Sequence, residues 1–156
     1  MLMTHQNVEI LLIEDNPYEA KLTISSLEEY HLANSLVHID DGSEALDFVF
    51  ARGKYEDRKD ERNPKIILLD LNLPKIGGLE VLRQIRSNES TRSIPVVILS
   101  SSKQESDIAS GYGFGVNSYI VKPVEFDSFA KAVADLGMYW SVLNQAPVLQ
   151  PVISEQ

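Results

Sequence analysis

Residues Lys65-Ile66-Ile67-Leu68-Leu69-Asp70-Leu71-Asn72-Leu73-Pro74 decide the fold of this chain. Ile66 to Leu69 is an unbroken apolar run, the pattern of a strand buried on both faces, and such strands belong to parallel sheets covered by helices on either side. The run ends in Asp70, and open α/β sheets place their chemistry at the carboxyl ends of their strands. The pattern recurs elsewhere. Ile10-Leu11-Leu12-Ile13 runs into Glu14-Asp15, Val96-Val97-Ile98-Leu99 into Ser100, and Tyr119-Ile120-Val121 into Lys122-Pro123. With a weaker run at 35–39, five apolar segments appear, at about 8–14, 35–39, 65–70, 95–100 and 118–121. Helical patterns lie between them, which implies βαβ units, right-handed crossovers and helices on both faces of a parallel sheet.

The first helix opens with Asn16 as cap and Pro17 at its first position, and Ala20, Ile24 and Leu27 supply its apolar stripe. Asp41-Gly42-Ser43 turns into a second helix carrying Ala45, Leu46, Val49 and Phe50, and a third, about Leu79 to Arg86, should bury Leu79, Leu82 and Ile85. The polar segment Arg52 to Asn63 reads as a solvated connector or an extension of the second helix. A fourth helix at Gln104 to Ser110 should be short, because Gly111, Gly113 and Gly115 follow and each glycine inside a helix costs about 1 kcal/mol. The last helix, roughly Glu125 to Leu143, carries Phe126, Phe129, Val133 and Trp140 toward the sheet. Ala132, Leu136, Tyr139 and Leu143 form a second stripe, which suggests either a wide core contact or a partner, with a dimer contact the favoured reading. The organisation expected is a lead at 1–7, one domain at 8–143 and a proline-containing tail at 144–156.

Composition narrows the function. A chain of 156 residues that is 44% hydrophobic has room for one well-filled core. It has no cysteine, which removes disulfides, thiol chemistry and cysteine-based zinc sites. His5, His31 and His38 have no metal-binding spacing and read as surface or loop residues. The formal charge of −9 opposes non-specific nucleic-acid binding, which needs a basic footprint, but does not argue against an acidic pocket that collects Mg²⁺. No apolar stretch approaches the roughly 20 residues of a membrane helix. The amino terminus lacks the basic start and hydrophobic segment of a signal peptide, so a cytoplasmic location is expected.

Asp70 is the candidate nucleophile. A carboxylate can attack phosphorus and form an acyl phosphate if the charge on the incoming group is neutralised. Mg²⁺ does this with oxygen ligands, and Glu14 and Asp15 end the strand expected beside that of Asp70. Converging carboxylates are tolerable when a cation sits among them. The backbone carbonyl of Asn72 is a further metal ligand candidate. Lys122 would bring a fixed positive charge toward a phosphoryl oxygen, aimed inward if its bond to Pro123 is cis, and Ser100 would offer a hydroxyl. Gly77-Gly78 reads as a turn before the third helix.

With these residues in place, the chain resembles the receiver domains of two-component response regulators over about residues 8–143. The matching pieces are Ile13-Glu14-Asp15-Asn16, Asp41-Gly42-Ser43-Glu44-Ala45-Leu46, Leu69-Asp70-Leu71-Asn72-Leu73-Pro74, Gly78-Leu79, Ser100-Ser101 and Tyr119-Ile120-Val121-Lys122-Pro123. The resemblance implies a flavodoxin-like (βα)5 fold with a doubly wound five-stranded parallel sheet in order 2-1-3-4-5. It implies that Asp70 accepts a phosphoryl group from a histidine kinase, with Mg²⁺ held by Glu14, Asp15, Asp70 and the Asn72 carbonyl. Ser100 would then shift toward the phosphoryl group and Tyr119 rotate inward, altering the face made by the fourth helix, fifth strand and fifth helix. Such a domain is a phosphoacceptor switch, not an enzyme acting on an external substrate, and it would dephosphorylate itself.

The long polar connector and the Tyr139-Trp140 ending are similar to small regulators paired with cyanobacterial phytochrome kinases. That similarity implies a phytochrome-type kinase and a homodimer through the fifth-helix face. The sequence departs from the family at Ser100, where threonine is commoner, at Glu14, where aspartate is frequent, and at Gly77, often an aspartate that caps the third helix. Two other readings stay open: a phosphorylation-independent interaction module of the same fold, and an aspartyl phosphatase, since Asp70-Leu71-Asn72 loosely resembles the Asp-x-Asp motif of haloacid-dehalogenase-like enzymes.

Overall fold

In the computed structural model, which describes residues 8–101, 113–115 and 118–135, the five apolar runs are the strands of a single sheet. They are β1 (Ile10–Ile13), β2 (Leu36–Ile39), β3 (Ile66–Asp70), β4 (Val96–Ser100) and β5 (Ser118–Val121). All pairs are parallel and the order is β2-β1-β3-β4-β5. Among the described residues the α-helices are α1 (Pro17–Glu28), α2 (Gly42–Val49), α3 (Gly78–Ser87) and α4 (Phe126–Asp135), the last being the one counted as fifth from the sequence. The expected fold is the one observed.

Alternation along each strand splits the core in two, because successive side chains leave a strand on opposite faces. Leu11, Ile13, Ile67, Leu69, Val96 and Ile98 point to the face covered by α2 and α3. Ile10, Leu12, Ile66, Leu68, Val97 and Leu99 point to the face that packs Ala20 and Leu27 of α1 with Phe129 and Val133 of α4. The continuous apolar runs are thus explained: β1, β3 and β4 are buried along their whole length.

Several local expectations need correction. In α3 the buried residues are Val81, Leu82 and Ile85, with Leu79 only half-buried. In α2 Phe48 joins Ala45, Leu46 and Val49 in the core, and Phe50 caps the helix, half-buried. The polar connector does not extend α2, because Ala51 and Gly53 take left-handed backbone angles (φ 54° and 62°) that end the helix. A 3-10 turn follows at Gly53–Arg58, and Arg58 is buried rather than solvated. Ala132, assigned from sequence to a second stripe, lies in the core. The fourth helix at 104–110, the stripe residues Leu136, Tyr139 and Leu143, Trp140, the lead at 1–7 and the tail at 144–156 fall outside the described residues.

Candidate functional site

Strand register builds the site. Ile13 is paired with Leu69, so Glu14 and Asp70, the next residues along, emerge side by side at the carboxyl end of the sheet. Asp70 is opposite Leu99 and Ser100 opposite Val121, which sets Ser100 and then Lys122 along the same rim. Carboxylate oxygens of Glu14, Asp15 and Asp70 lie within 4.8 Å of one another. Lys122 Nζ stands 2.6 Å from Glu14 Oε1 and 3.3 Å from Asp70 Oδ2. Its backbone N–H donates to the Ser100 carbonyl (2.9 Å), and the Lys122–Pro123 peptide bond is cis. Ser100 is buried, and Tyr119 turns outward with 39% of its surface exposed.

The surrounding segments hold these groups in place. Asn72 N–H donates to Asp70 Oδ1 (3.0 Å), which fixes the carboxylate from the loop that follows β3. Asn16 caps α1 through Oδ1, accepting from Glu19 N–H (3.0 Å), while its own N–H donates to Glu14 Oε2 (3.1 Å). His38 Nε2 donates to the Glu14 carbonyl (2.8 Å), so a histidine taken as incidental steadies the backbone of a site residue. Gly78 does more than turn the chain. A Cβ there would lie 2.2 Å from the Asp70 carbonyl oxygen, so α3 can start against the back of Asp70 only if this residue has no side chain. Gly77 caps α3 without a side-chain hydrogen bond, as expected.

One participant was missed. Glu19, in the first turn of α1, places Oε1 2.6 Å from Lys122 Nζ. Among the described residues the rim therefore gathers Glu14, Glu19 and Asp70 around the Lys122 ammonium, with Asp15 beside Glu14 and Asp70.

The electrostatics follow from this imbalance. Burial pushes the Glu14 carboxyl up to about 7; Lys122 and the Asn16 N–H oppose the rise, and neighbouring Asp70 adds to it. Burial alone would lower the Lys122 ammonium, but Glu14, Glu19 and the charge of Asp70 reverse this and hold it above its ordinary range. The donor set fits Mg²⁺: every candidate ligand is an oxygen, and Glu14 Oε1 is buried with no well-directed hydrogen bond. An open cleft of about 940 Å³ lies at the opposite end of the strands, lined by Arg52, Arg58, Arg83 and Asn88 among others. It lacks the chemistry of the rim, and three of its four arginines, Arg52, Arg58 and Arg83, are paired with Asp47, Glu61 and Glu80.

The response regulator receiver domain family matches residues 10–134. The chain belongs to that family. The bacteriophytochrome response regulator RtBRR is similar at 51% identity and a TM-score of 0.79, with 88% of this chain and 82% of that one covered. Response regulator Rcp1 of Synechocystis sp. is 36% identical over 84% of this chain and 87% of its own length. Its Mn²⁺-bound crystal structure aligns with a TM-score of 0.68 over 88% of this chain and 95% of that one, at 34% identity. A probable methanogenesis regulatory protein, FilR2 of Methanothrix harundinacea, is 36% identical over 88% of this chain and 86% of its own. This receiver domain is thus a component of two-component signalling. Among the described residues no helix is long and apolar enough to cross a membrane.

Proposed function

We propose that this receiver accepts a phosphoryl group on Asp70 from the phosphohistidine of a kinase, and that the modified domain switches a protein-binding face. The observation that carries the reading is the juxtaposition of Asp70 with Glu14, Asp15 and Lys122 at the end of a fully buried strand. In the transfer step an Asp70 carboxylate oxygen forms the new O–P bond as the P–N bond to the donor imidazole breaks, and the imidazole leaves with its electron pair. Lys122 lies within reach of a phosphoryl oxygen on Asp70, where its charge offsets that of the group. Ser100, buried beside it, supplies a hydroxyl to a second oxygen. Asn72 and the loop after β3 keep the nucleophilic carboxylate oriented.

Mg²⁺ would be held by Glu14, Asp15, Asp70 and the Asn72 carbonyl, and would neutralise charge on the phosphoryl oxygens. The Mn²⁺-bound state of the similar Rcp1 supports a divalent cation here. The likeness to RtBRR and Rcp1 favours a phytochrome-type kinase as donor. The switch would move Ser100 toward the phosphoryl group and turn Tyr119 inward from its outward position. We further propose a homodimer through the face around β5 and the following helix, a cytoplasmic location with the kinase, and no chemistry on external substrates beyond self-dephosphorylation.

Intact-protein mass spectrometry after incubation with acetyl phosphate tests the central claim. A single Mg²⁺-dependent, base-labile adduct, absent from Asp70→Asn, is the expected result. Folded protein that binds Mg²⁺ yet gains no adduct from acetyl phosphate or from a phosphorylated kinase would leave an interaction module instead.

A further inference from the structure

Asn16 and Glu19 occupy the cap and third positions of α1, the spacing of a capping box. In that motif the acid at the third position reaches back to the backbone N–H of the cap. Here that N–H is already taken by Glu14 Oε2 (3.1 Å). Glu19 instead directs its carboxylate across the rim to Lys122 Nζ, 2.6 Å away. A closed circuit results: Glu14 to the Asn16 N–H, Asn16 Oδ1 to the Glu19 N–H, Glu19 to Lys122, and Lys122 back to Glu14.

An ammonium has three N–H donors, and Lys122 meets three carboxylates: Glu14, Glu19 and, more distantly at 3.3 Å, Asp70. Of the three contacts only that to Glu19 is a well-directed hydrogen bond, so a phosphoryl oxygen on Asp70 competes first with Glu19 for the ammonium. Glu14 and Asp70 have side chains 0% and 3% exposed, whereas Glu19 is 36% exposed. Releasing Glu19 returns a half-exposed carboxylate to water at little cost, whereas Glu14 has no access to solvent. A small cavity of about 90 Å³ beside the pair, bounded by Tyr18, Leu22, Thr23 and Pro123, gives Glu19 room to turn away.

We propose that Glu19 is a positioning residue that holds the Lys122 ammonium while Asp70 is unmodified and competes with the phosphoryl group for it. This rests on the phosphoacceptor reading above. Two effects follow, and they have opposite signs. Neutralising Glu19 lets Lys122 lean further onto Glu14 and Asp70 and removes one nearby negative charge, so Mg²⁺ binds less tightly. It also frees a donor in advance, so a phosphoryl group is held more tightly.

The test uses the full chain and Glu19→Gln, which keeps the helix and its cap because Asn16 binds only the backbone of Glu19. Isothermal titration calorimetry measures Mg²⁺ affinity, then affinity for beryllofluoride as phosphoryl analogue at saturating Mg²⁺. The expected result is weaker Mg²⁺ binding and tighter beryllofluoride binding, each by about fivefold, the scale of an ion pair with one half-exposed partner. In a Lys122→Met background the beryllofluoride gain should vanish. Affinities that stay unchanged, or that both weaken together as a general structural loss would give, overturn the inference alone. A wild-type chain that binds Mg²⁺ but no phosphoryl analogue overturns the phosphoacceptor reading as well.

Discussion

Among the described residues, Arg58 and Lys122 are two cations largely withdrawn from solvent, for different reasons. Arg58 lies over the Phe48 ring at 3.8 Å, donates to the carbonyls of Phe48 and Arg62, and is paired with Glu61 at 3.2 Å. One acid faces one base, and the remaining contacts are neutral. Among the described residues, Lys122 has no aromatic cover and its charged partners are acids in excess of its charge. Burial of a charge is therefore no mark of chemistry by itself. Arg58 closes a structural account, joining the connector to α2; Lys122 sits in a site where acids outnumber it. Their proton affinities differ in the same sense. Burial lowers that of Arg58, with Glu61 opposing, whereas the surrounding carboxylates raise that of Lys122.

The strongest way to break this contrast is Arg58→Met. It strands Glu61 and two carbonyls, so urea unfolding should show a loss of about 3–5 kcal/mol, the cost of removing one partner of a buried pair. The loss should be the same in EDTA and in Mg²⁺. Lys122→Met should instead cost about 3 kcal/mol in EDTA and recover most of it on adding Mg²⁺, one cation replacing another. Equal responses to Mg²⁺ in the two variants would erase the distinction.

Gly78→Ala sharpens the comparison by disturbing the rim through its backbone and leaving every charge in place. A Cβ 2.2 Å from the Asp70 carbonyl must push α3 or Asp70 aside. A loss of about 1–3 kcal/mol is expected from such overpacking, together with slower adduct formation from acetyl phosphate. Stability lost with the adduct rate intact would show that the backing of Asp70 is structural only.

The smallest effect belongs to Glu44, near the connector. Its carboxyl is held below the usual carboxylate range by the Tyr55 hydroxyl first and Lys54 second. A group whose folded value is depressed stabilises the fold above its unfolded value and loses that contribution as pH falls through the folded value. Wild type should therefore lose this increment as pH falls below the ordinary carboxylate value of 4.5. Tyr55→Phe, which removes the 2.6 Å hydrogen bond, should be less stable by about 1 kcal/mol at pH 7. The gap should close in acid, and acid unfolding of the two proteins compared by circular dichroism checks it.

The frame of the site is legible in the sequence because each principal residue ends a strand. Glu14, Asp70, Ser100 and Lys122 follow apolar runs, and a parallel register carries them to one rim without any side-chain detail. Glu19 is not legible in that way. Its spacing from Asn16 already has a complete explanation as a helix cap, and only the competing bond from Asn16 to Glu14 shows that the carboxylate is free for Lys122. Arg58 was hidden among the charges of 52–63, since the identity of the buried one depends on the left-handed turn at Ala51 that folds the connector onto Phe48. The phase of α3 was misjudged near its start, where contact with the Asp70 backbone sets the helix and hydrophobic spacing does not.

Glu19 and Lys122 are 103 positions apart. A chain made from its amino terminus exposes Glu14, Glu19 and Asp70 well before the lysine exists. The strand that delivers Lys122 lies at the sheet's edge, beside β4 alone, so the earlier strands can align around the carboxylates before it docks. Until then the rim is a set of acids without their ammonium. Under the proposed function, arrival of β5 would double as a completion signal: a nascent receiver would lack the lysine that holds a phosphoryl group, and competence would come with the strand that closes the sheet.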